Sequence, residues 1–290
     1  MLRTRRSVRR AAAIAASALT AALVPALIPA PAHAWAPADT AKITPGVQMY
    51  TDGAQCTSNF VYTDSASNVY VGYAAHCAGL GEATDTNGCA AKSLPLGTPV
   101  TFNEGGSLAD EGTVVGKGTL VYSSWNTMQK RGTKDPDTCA YNDLALVKVS
   151  DADKGKVNPT VPIWGGPTGI DTDGTAAGDQ VYSYGNSSIR ADLDLLSPKV
   201  GFSLGDDVNG TRWSHPLYNL TPGIPGDSGS GFMSADGKAV GTLSTLGIAP
   251  LPASNNIGDL DLELGFAQET SGISGLRLVN GTEPFSGSPL

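Results

Sequence analysis

Gly226-Asp227-Ser228-Gly229-Ser230 sets a serine inside a tight glycine turn, and it is read together with a second stretch far upstream, Ala74-Ala75-His76-Cys77. The upstream stretch sets a histidine beside a cysteine at the end of an apolar, strand-like run. Between them lies Asn142-Asp143-Leu144-Ala145-Leu146, an acid at the head of another apolar run. Serine is a weak nucleophile at its own pKa and needs a neighbouring base, which in turn needs a group that fixes its tautomer. Nucleophile, base and carboxylate are all present, in the chain order His, Asp, Ser.

The choice of base is narrow. The chain has 3 histidines, and His33 falls in the N-terminal stretch described below. His76 adjoins Cys77, so a disulfide would fix its backbone, whereas His215 precedes Pro216 in an expected loop. Histidine is the natural proton carrier near neutral pH. A serine in a glycine turn exposes its hydroxyl, and the backbone N–H groups of Gly226 and Ser228 then converge on one point. There they would stabilise an oxyanion, at about 3 kcal/mol per donor. Asp143, at the start of a buried strand, suits the hydrogen bond that orients the His76 ring. An α/β-hydrolase is excluded, because its order is Ser, Asp, His and its Gly-x-Ser-x-Gly elbow needs glycine where Ser230 stands.

Ala-Ala-His-Cys, Asp-Leu-Ala-Leu and Gly-Asp-Ser-Gly, in that order, resemble the chymotrypsin/trypsin-like serine proteases, and most closely their secreted bacterial, actinobacterial-type members. The resemblance runs from about Ile43 to Val279. It implies an all-β fold: two six-stranded antiparallel β-barrels with the active site in the cleft between them. His76 and Asp143 would come from the first barrel and Ser228 from the second. It also implies a Cys56–Cys77 disulfide bracing the His76 loop, after which Cys89 and Cys139 are left to pair across an unusually long stretch between His76 and Asp143.

Three departures from the family pattern stand out. Ile43-Thr44-Pro45-Gly46 is a faint echo of the terminus whose amine pairs with the aspartate before the nucleophile, so Asp227 is expected to have another partner. Pro222 stands where trypsin-specific members carry an aspartate. Ser244-Thr245-Leu246 occupies the segment that lines the substrate channel, and Thr245 and Leu246 would narrow it. Pro222, Ser244, Thr245 and Leu246 therefore describe a pocket for small or apolar side chains.

Composition agrees with many short strands. There are 36 glycines and 19 prolines, and charged residues are only 16%, which suits tight turns and suits a helical bundle poorly. Residues 1–34 read as a secretory signal: five arginines open it, an apolar run from Ala11 to about Ile28 follows, and Ala32-His33-Ala34 has the form of a cleavage site. Its loss removes five of the 19 basic groups and none of the 27 acidic ones, leaving 14 against 27, a net charge of −13. Such a surface disfavours nucleic acid and anionic lipid. Four cysteines in an exported chain point to two disulfides. No Cys-x-x-Cys pair exists, so zinc is not expected; no cofactor requirement is read from the chain, and structural calcium stays open, although no Asp/Glu cluster has a recognisable loop spacing.

Along the chain, 35–42 is a short, mobile leader, 43–150 the N-terminal barrel, 151–160 a linker, and 161–290 the C-terminal barrel with a C-terminal extension. Strand signals fall at 59–62, 69–73, 99–102, 113–122 and 144–149, then at 161–164, 180–184, 199–203, 231–233 and 239–246. Residues 257–270 read either as a strand or as a helix capped by Asn255 or Asn256, and the helix is favoured. The expectation is a secreted, monomeric serine endopeptidase acting on polypeptides, with no membrane attachment after signal cleavage. The alternatives are a protease-fold binding protein with impaired catalysis, and a secreted esterase using the same triad.

Overall fold

A computed structural model describes residues 34–80, 86–107, 109–190, 193–206, 210–247 and 253–288. The expected signal, 1–34, lies outside the described residues except for Ala34. Among the described residues no helix is long and apolar enough to cross a membrane.

The first half of the chain builds one antiparallel sheet. Its strands are β1 (Gln48–Thr51), β2 (Ala54–Thr57), β3 (Val61–Thr63), β4 (Val69–Ala74), β5 (Pro99–Glu104), β6 (Thr113–Ser123) and β7 (Leu144–Val149). β1 and β2 form a hairpin across Asp52-Gly53, both at positive φ (49° and 81°), as a two-residue turn that matches strand twist requires. Between β6 and β7 the chain makes two helices. α1 (Ser124–Arg131) is capped by Ser123 and closed by Gly132 at φ 66°, and α2 (Pro136–Tyr141) starts on an Asp135 cap with proline in its first turn. Met49, Val71, Tyr73, Phe102, Leu120 and Val147 are among the buried side chains inside this half.

The second half closes a six-stranded barrel from β8 (Gln180–Tyr184), β9 (Pro198–Ser203), β10 (Ser214–Asn219), β11 (Gly231–Ser234), β12 (Ala239–Gly247) and β13 (Ser254–Asp259), in the order β10-β13-β12-β11-β8-β9. Val181, Leu217, Phe232, Val240, Leu243 and Ile257 fill it. α3 (Leu260–Thr270) follows β13 directly, and β14 (Arg277–Leu278) returns to pair with β3. The first sheet therefore has eight strands, in the order β14-β3-β4-β7-β6-β5-β1-β2. A third cluster, including Phe60, Tyr62, Leu146, Trp164, Tyr182, Met233, Leu260 and Leu264, joins the two halves and α3.

Four local expectations are corrected. Val161–Trp164 is a turn: Pro162 has no N–H for a ladder, Ile163 sits at φ 69°, and the run is apolar because Trp164 is buried, donating Nε1–H to Ser183 O at 2.8 Å. The segment 257–270 is strand then helix, and the cap is Asp259, whose Oδ1 accepts from Leu262 N at 3.0 Å; Asn255 and Asn256 lie within β13. His215 lies on β10 with no exposed surface, its Nε2 3.0 Å from Asp259 Oδ2. The leader is tied down, with Ala36 N and Lys42 N donating to Val157 O and Lys156 O at 3.0 Å.

Candidate active site

β4 ends in a 3-10 turn, Ala75–Ala78, that presents His76. Asp143, one residue before β7, grips that turn at three points. Its carbonyl accepts from Ala75 N at 2.7 Å, its Oδ1 accepts from His76 N at 2.8 Å, and its Oδ2 lies 2.6 Å from His76 Nδ1. Pairing at Nδ1 leaves Nε2 as the free acceptor of the neutral ring. Burial opposes charge on this ring, but the Asp143 carboxylate outweighs it through its charge and hydrogen bond, so the pKa of His76 is raised above its ordinary value. The His76 side chain keeps 25% of its surface exposed, so its desolvation is partial. A disulfide between Cys56 on β2 and the neighbouring Cys77 holds the turn from behind.

Two further groups converge on Asp143. Ser244 sits where the β12–β13 register shifts between Leu243 and Thr245, and this irregularity aims its Oγ at Asp143 Oδ2, 2.6 Å away. Glu263 on α3 accepts the Asp143 N–H on Oε1 at 2.9 Å. Ser244, read from sequence as a pocket residue, thus also supports the carboxylate.

Ser228 sits half-buried in a turn between two glycines at φ 94° (Gly226) and 89° (Gly229). A Cβ at Gly226 would strike Gln55 Oε1, and one at Gly229 would lie 2.6 Å from Thr57 O and 2.7 Å from Ala74 N. Both positions combine left-handed backbone with close approach, which glycine alone allows cheaply. The turn rests on β2, because Thr57 N donates to Ser228 O at 2.9 Å and Thr57 Oγ1 to Gly226 O at 2.7 Å. Asp227, Gly229 and Ser230 donate their amides to Ile224 O, Leu243 O and Asp227 O. Among the described residues, no acceptor takes the Gly226 or Ser228 N–H.

Asp227 is wholly buried and held by charge. Arg190 Nη2 lies 2.6 Å and Lys199 Nζ 3.0 Å from its Oδ2, while Ser187 N and Ile224 N donate to its oxygens. Burial lowers the pKa of Lys199, Asp227 opposes that fall, and Arg190 adds to it.

His76, Asp143 and Ser228 line one cleft of about 540 Å³. One wall is Gly223-Ile224-Pro225-Gly226 and the facing wall Leu243-Ser244-Thr245-Leu246, with Asn255 between them. Asn255 Oδ1 accepts from Gly223 N (2.8 Å) and Asn219 Nδ2 (3.0 Å), and its Nδ2 donates to Gly223 O (3.2 Å) and Thr245 O (3.4 Å). It therefore ties the two walls together and fills the space between them. Pro222 lies outside this lining and turns its carbonyl to Arg190 Nη2 at 2.8 Å. Asp143 is the one carboxylate among the described lining residues.

Sequence reading missed Trp125, Asn255, Glu263, Arg190 and Lys199. Trp125 reaches the cleft from α1, its ring centroid 6.4 Å from that of His76. Glu263 carried a signal, since it shares the helical face of Leu260 and Ala267 and so points inward. Cys89 and Cys139 form the second disulfide, tying α2 to the segment whose Gly88 lies against the Trp125 ring. Cys56, His76 and Cys77 lie close enough to suggest metal ligation, but both cysteines are consumed by the disulfide.

Solved structures of similar fold include Thermobifida fusca protease A, 17% identical with a TM-score of 0.50 over 82% of this chain and 99% of that one. Nocardiopsis protease is 16% identical, with a TM-score of 0.44 over 81% and 98%. Cellulomonas bogoriensis chymotrypsin is 16% identical, with a TM-score of 0.47 over 82% and 98%. No family model and no curated protein matches the chain. The likeness is one of fold, and that fold is the chymotrypsin-like fold of bacterial serine proteases.

Proposed function

We propose that this chain, carrying the chymotrypsin-like fold, is a secreted serine endopeptidase with His76, Asp143 and Ser228 as its triad. The observation that carries the reading is the two-point grip of Asp143 on His76 in the same cleft as Ser228 and Gly226. In this mechanism His76 Nε2 takes the Ser228 Oγ proton as Oγ attacks the scissile carbonyl. Asp143 stabilises the imidazolium, and Gly226 N–H and Ser228 N–H hold the oxyanion. His76 then gives the proton to the leaving amine, and water repeats the steps on the acyl-enzyme. The Asn255 tie, with Thr245 and Leu246 on the facing wall, supports a preference for small or apolar side chains. The two disulfides and the basic-then-apolar start of the chain support export.

The reading is tested by treating the folded, disulfide-intact protein with a fluorophosphonate and mapping the adduct, beside a peptide-library profile. An adduct on Ser228 with amide turnover is expected. Folded protein that takes no label would overturn the reading. Labelling with ester turnover alone would make it an esterase, and labelling with no turnover a binding protein.

A further inference from the structure

The C-terminal helix sends one side chain into the back of the candidate triad. Glu263 has no exposed surface, and its Oε1 accepts the Asp143 N–H at 2.9 Å. That amide belongs to the residue whose carboxylate holds His76 at 2.8 and 2.6 Å. Backbone and carboxylate of Asp143 are thus fixed by separate partners, Glu263 behind and His76 with Ser244 in front. The approach is close where β13 passes Oε1. A Cβ at Gly258 would strike Glu263 Oε1 and come within 2.9 Å of Tyr141 O. Asp259, the helix cap, sets the start of the turn that delivers Glu263.

We propose that Glu263 is a positioning residue for the triad: it locates the Asp143 backbone so that the Asp143 carboxylate keeps both of its hydrogen bonds to His76. The inference rests on the serine-protease reading for its catalytic consequence. Glu263 does this by accepting the N–H through one carboxyl oxygen, in surroundings that favour its uncharged form. The titratable groups that bear on it are Asp143, Asp259, Tyr62 and Tyr122, none of them a cation. Its Oε2 makes no hydrogen bond of good geometry, although the Thr242 side chain is near enough to oppose the effect of burial. Burial first, and then the Asp143 charge, push the Glu263 pKa well above its ordinary value, against the opposing Asp143 amide. An ionised Glu263 would add a second negative charge behind Asp143 with nothing to balance it.

Three variants separate positioning from mere packing. Glu263→Gln keeps an oxygen for the Asp143 amide, Glu263→Met fills similar space without one, and Gly258→Ala keeps the carboxyl group but displaces its Oε1. The readouts are the fluorophosphonate labelling rate of Ser228, its pH dependence, and the ring titration of His76 by NMR. The Gln variant is expected to label within about twofold of wild type with the same pH midpoint. The Met and Gly258→Ala variants are expected to label about tenfold more slowly, with the His76 midpoint moved down as the Asp143 grip loosens.

A folded Met variant with wild-type rate and titration would overturn the proposal, and so would a Gln variant whose His76 midpoint falls. If wild type takes no label, the protease reading fails, but the NMR titration still decides whether Glu263 positions Asp143. Thermal melts test the protonation state without turnover. A group whose folded pKa is raised gives stability that is full below its unfolded value and is lost as pH rises through the folded one. The melting-temperature advantage of Glu263→Gln over wild type should therefore grow as pH rises above 4.5. An advantage that stays flat with pH would show that the folded protein carries an ionised Glu263.

Discussion

Asp143 holds His76 through the backbone N–H at 2.8 Å and through ring Nδ1 at 2.6 Å. One contact fixes where the turn is and the other fixes the ring. Because the paired carboxylate raises the ring pKa, the acid limb of kcat/KM should have its midpoint above the ordinary 6.5. Activity needs the neutral ring, so it rises with pH through that midpoint. The stability contributed by the pair runs the other way: full below 6.5 and lost as pH rises through the raised value. Asp143→Asn should lower kcat by about 10⁴. A wild-type midpoint at or below 6.5 would contradict the assignment.

Asp227 has its charge balanced internally by Arg190 and Lys199, so the serine turn needs no amine from a newly cut terminus. Ile43 is itself buried within the chain, its N–H on Lys156 O at 3.1 Å. Labelling of Ser228 should proceed without cleavage near Ile43; a lag abolished by such cleavage would refute this. Asp227→Asn leaves two cations buried beside a neutral amide and should cost about 3–5 kcal/mol in urea unfolding.

Asn255 closes the space between Gly223 and Thr245 with its own amide. Asn255→Ala should enlarge the cleft and shift a peptide-library profile towards larger apolar side chains. It also strands the Gly223 N–H, at roughly 1–3 kcal/mol of stability. An unchanged profile would remove Asn255 from the specificity argument, and a wild-type profile dominated by Lys or Arg would remove the small-or-apolar preference.

The two disulfides should separate by their effects. Removing Cys89–Cys139 (both to Ser), which spans 50 residues, should cost roughly 2–4 kcal/mol in guanidinium unfolding while Ser228 still labels. Removing Cys56–Cys77 should also slow labelling, because Cys77 adjoins His76. Equal labelling rates in the two double variants would argue against a bracing effect on His76.

What the sequence made legible is local. The glycines around Ser228, the histidine closing β4 and the acid opening β7 each need a particular residue type at a fixed neighbouring position, so their patterns survive without coordinates. Glu263 and Asn255 meet their partners across 120 and 32 residues, and nothing in their own surroundings names those partners. Lys199 and Arg190 carry no local signal for their partner, since only the fold brings them against Asp227. The β1–β2 hairpin carried a turn signal in Asp52-Gly53, but its strands are four residues each and mix polar with apolar side chains. Val161–Trp164 failed in the opposite direction, being apolar because it is buried at a corner rather than because it is pleated.

β14 lies in register against β3, with Arg277 opposite Thr63 and Leu278 opposite Tyr62. An edge strand of the first sheet is therefore made only after every strand of the second-half barrel, and Ser244 and Glu263, which finish the setting of Asp143, come shortly before it. Pairings of such long sequence separation form slowly. During synthesis the first half lacks this edge strand, and the Asp143–His76 pair lacks its supports. The order of assembly thus leaves the setting of Asp143 unfinished until the second-half barrel and α3 have been made.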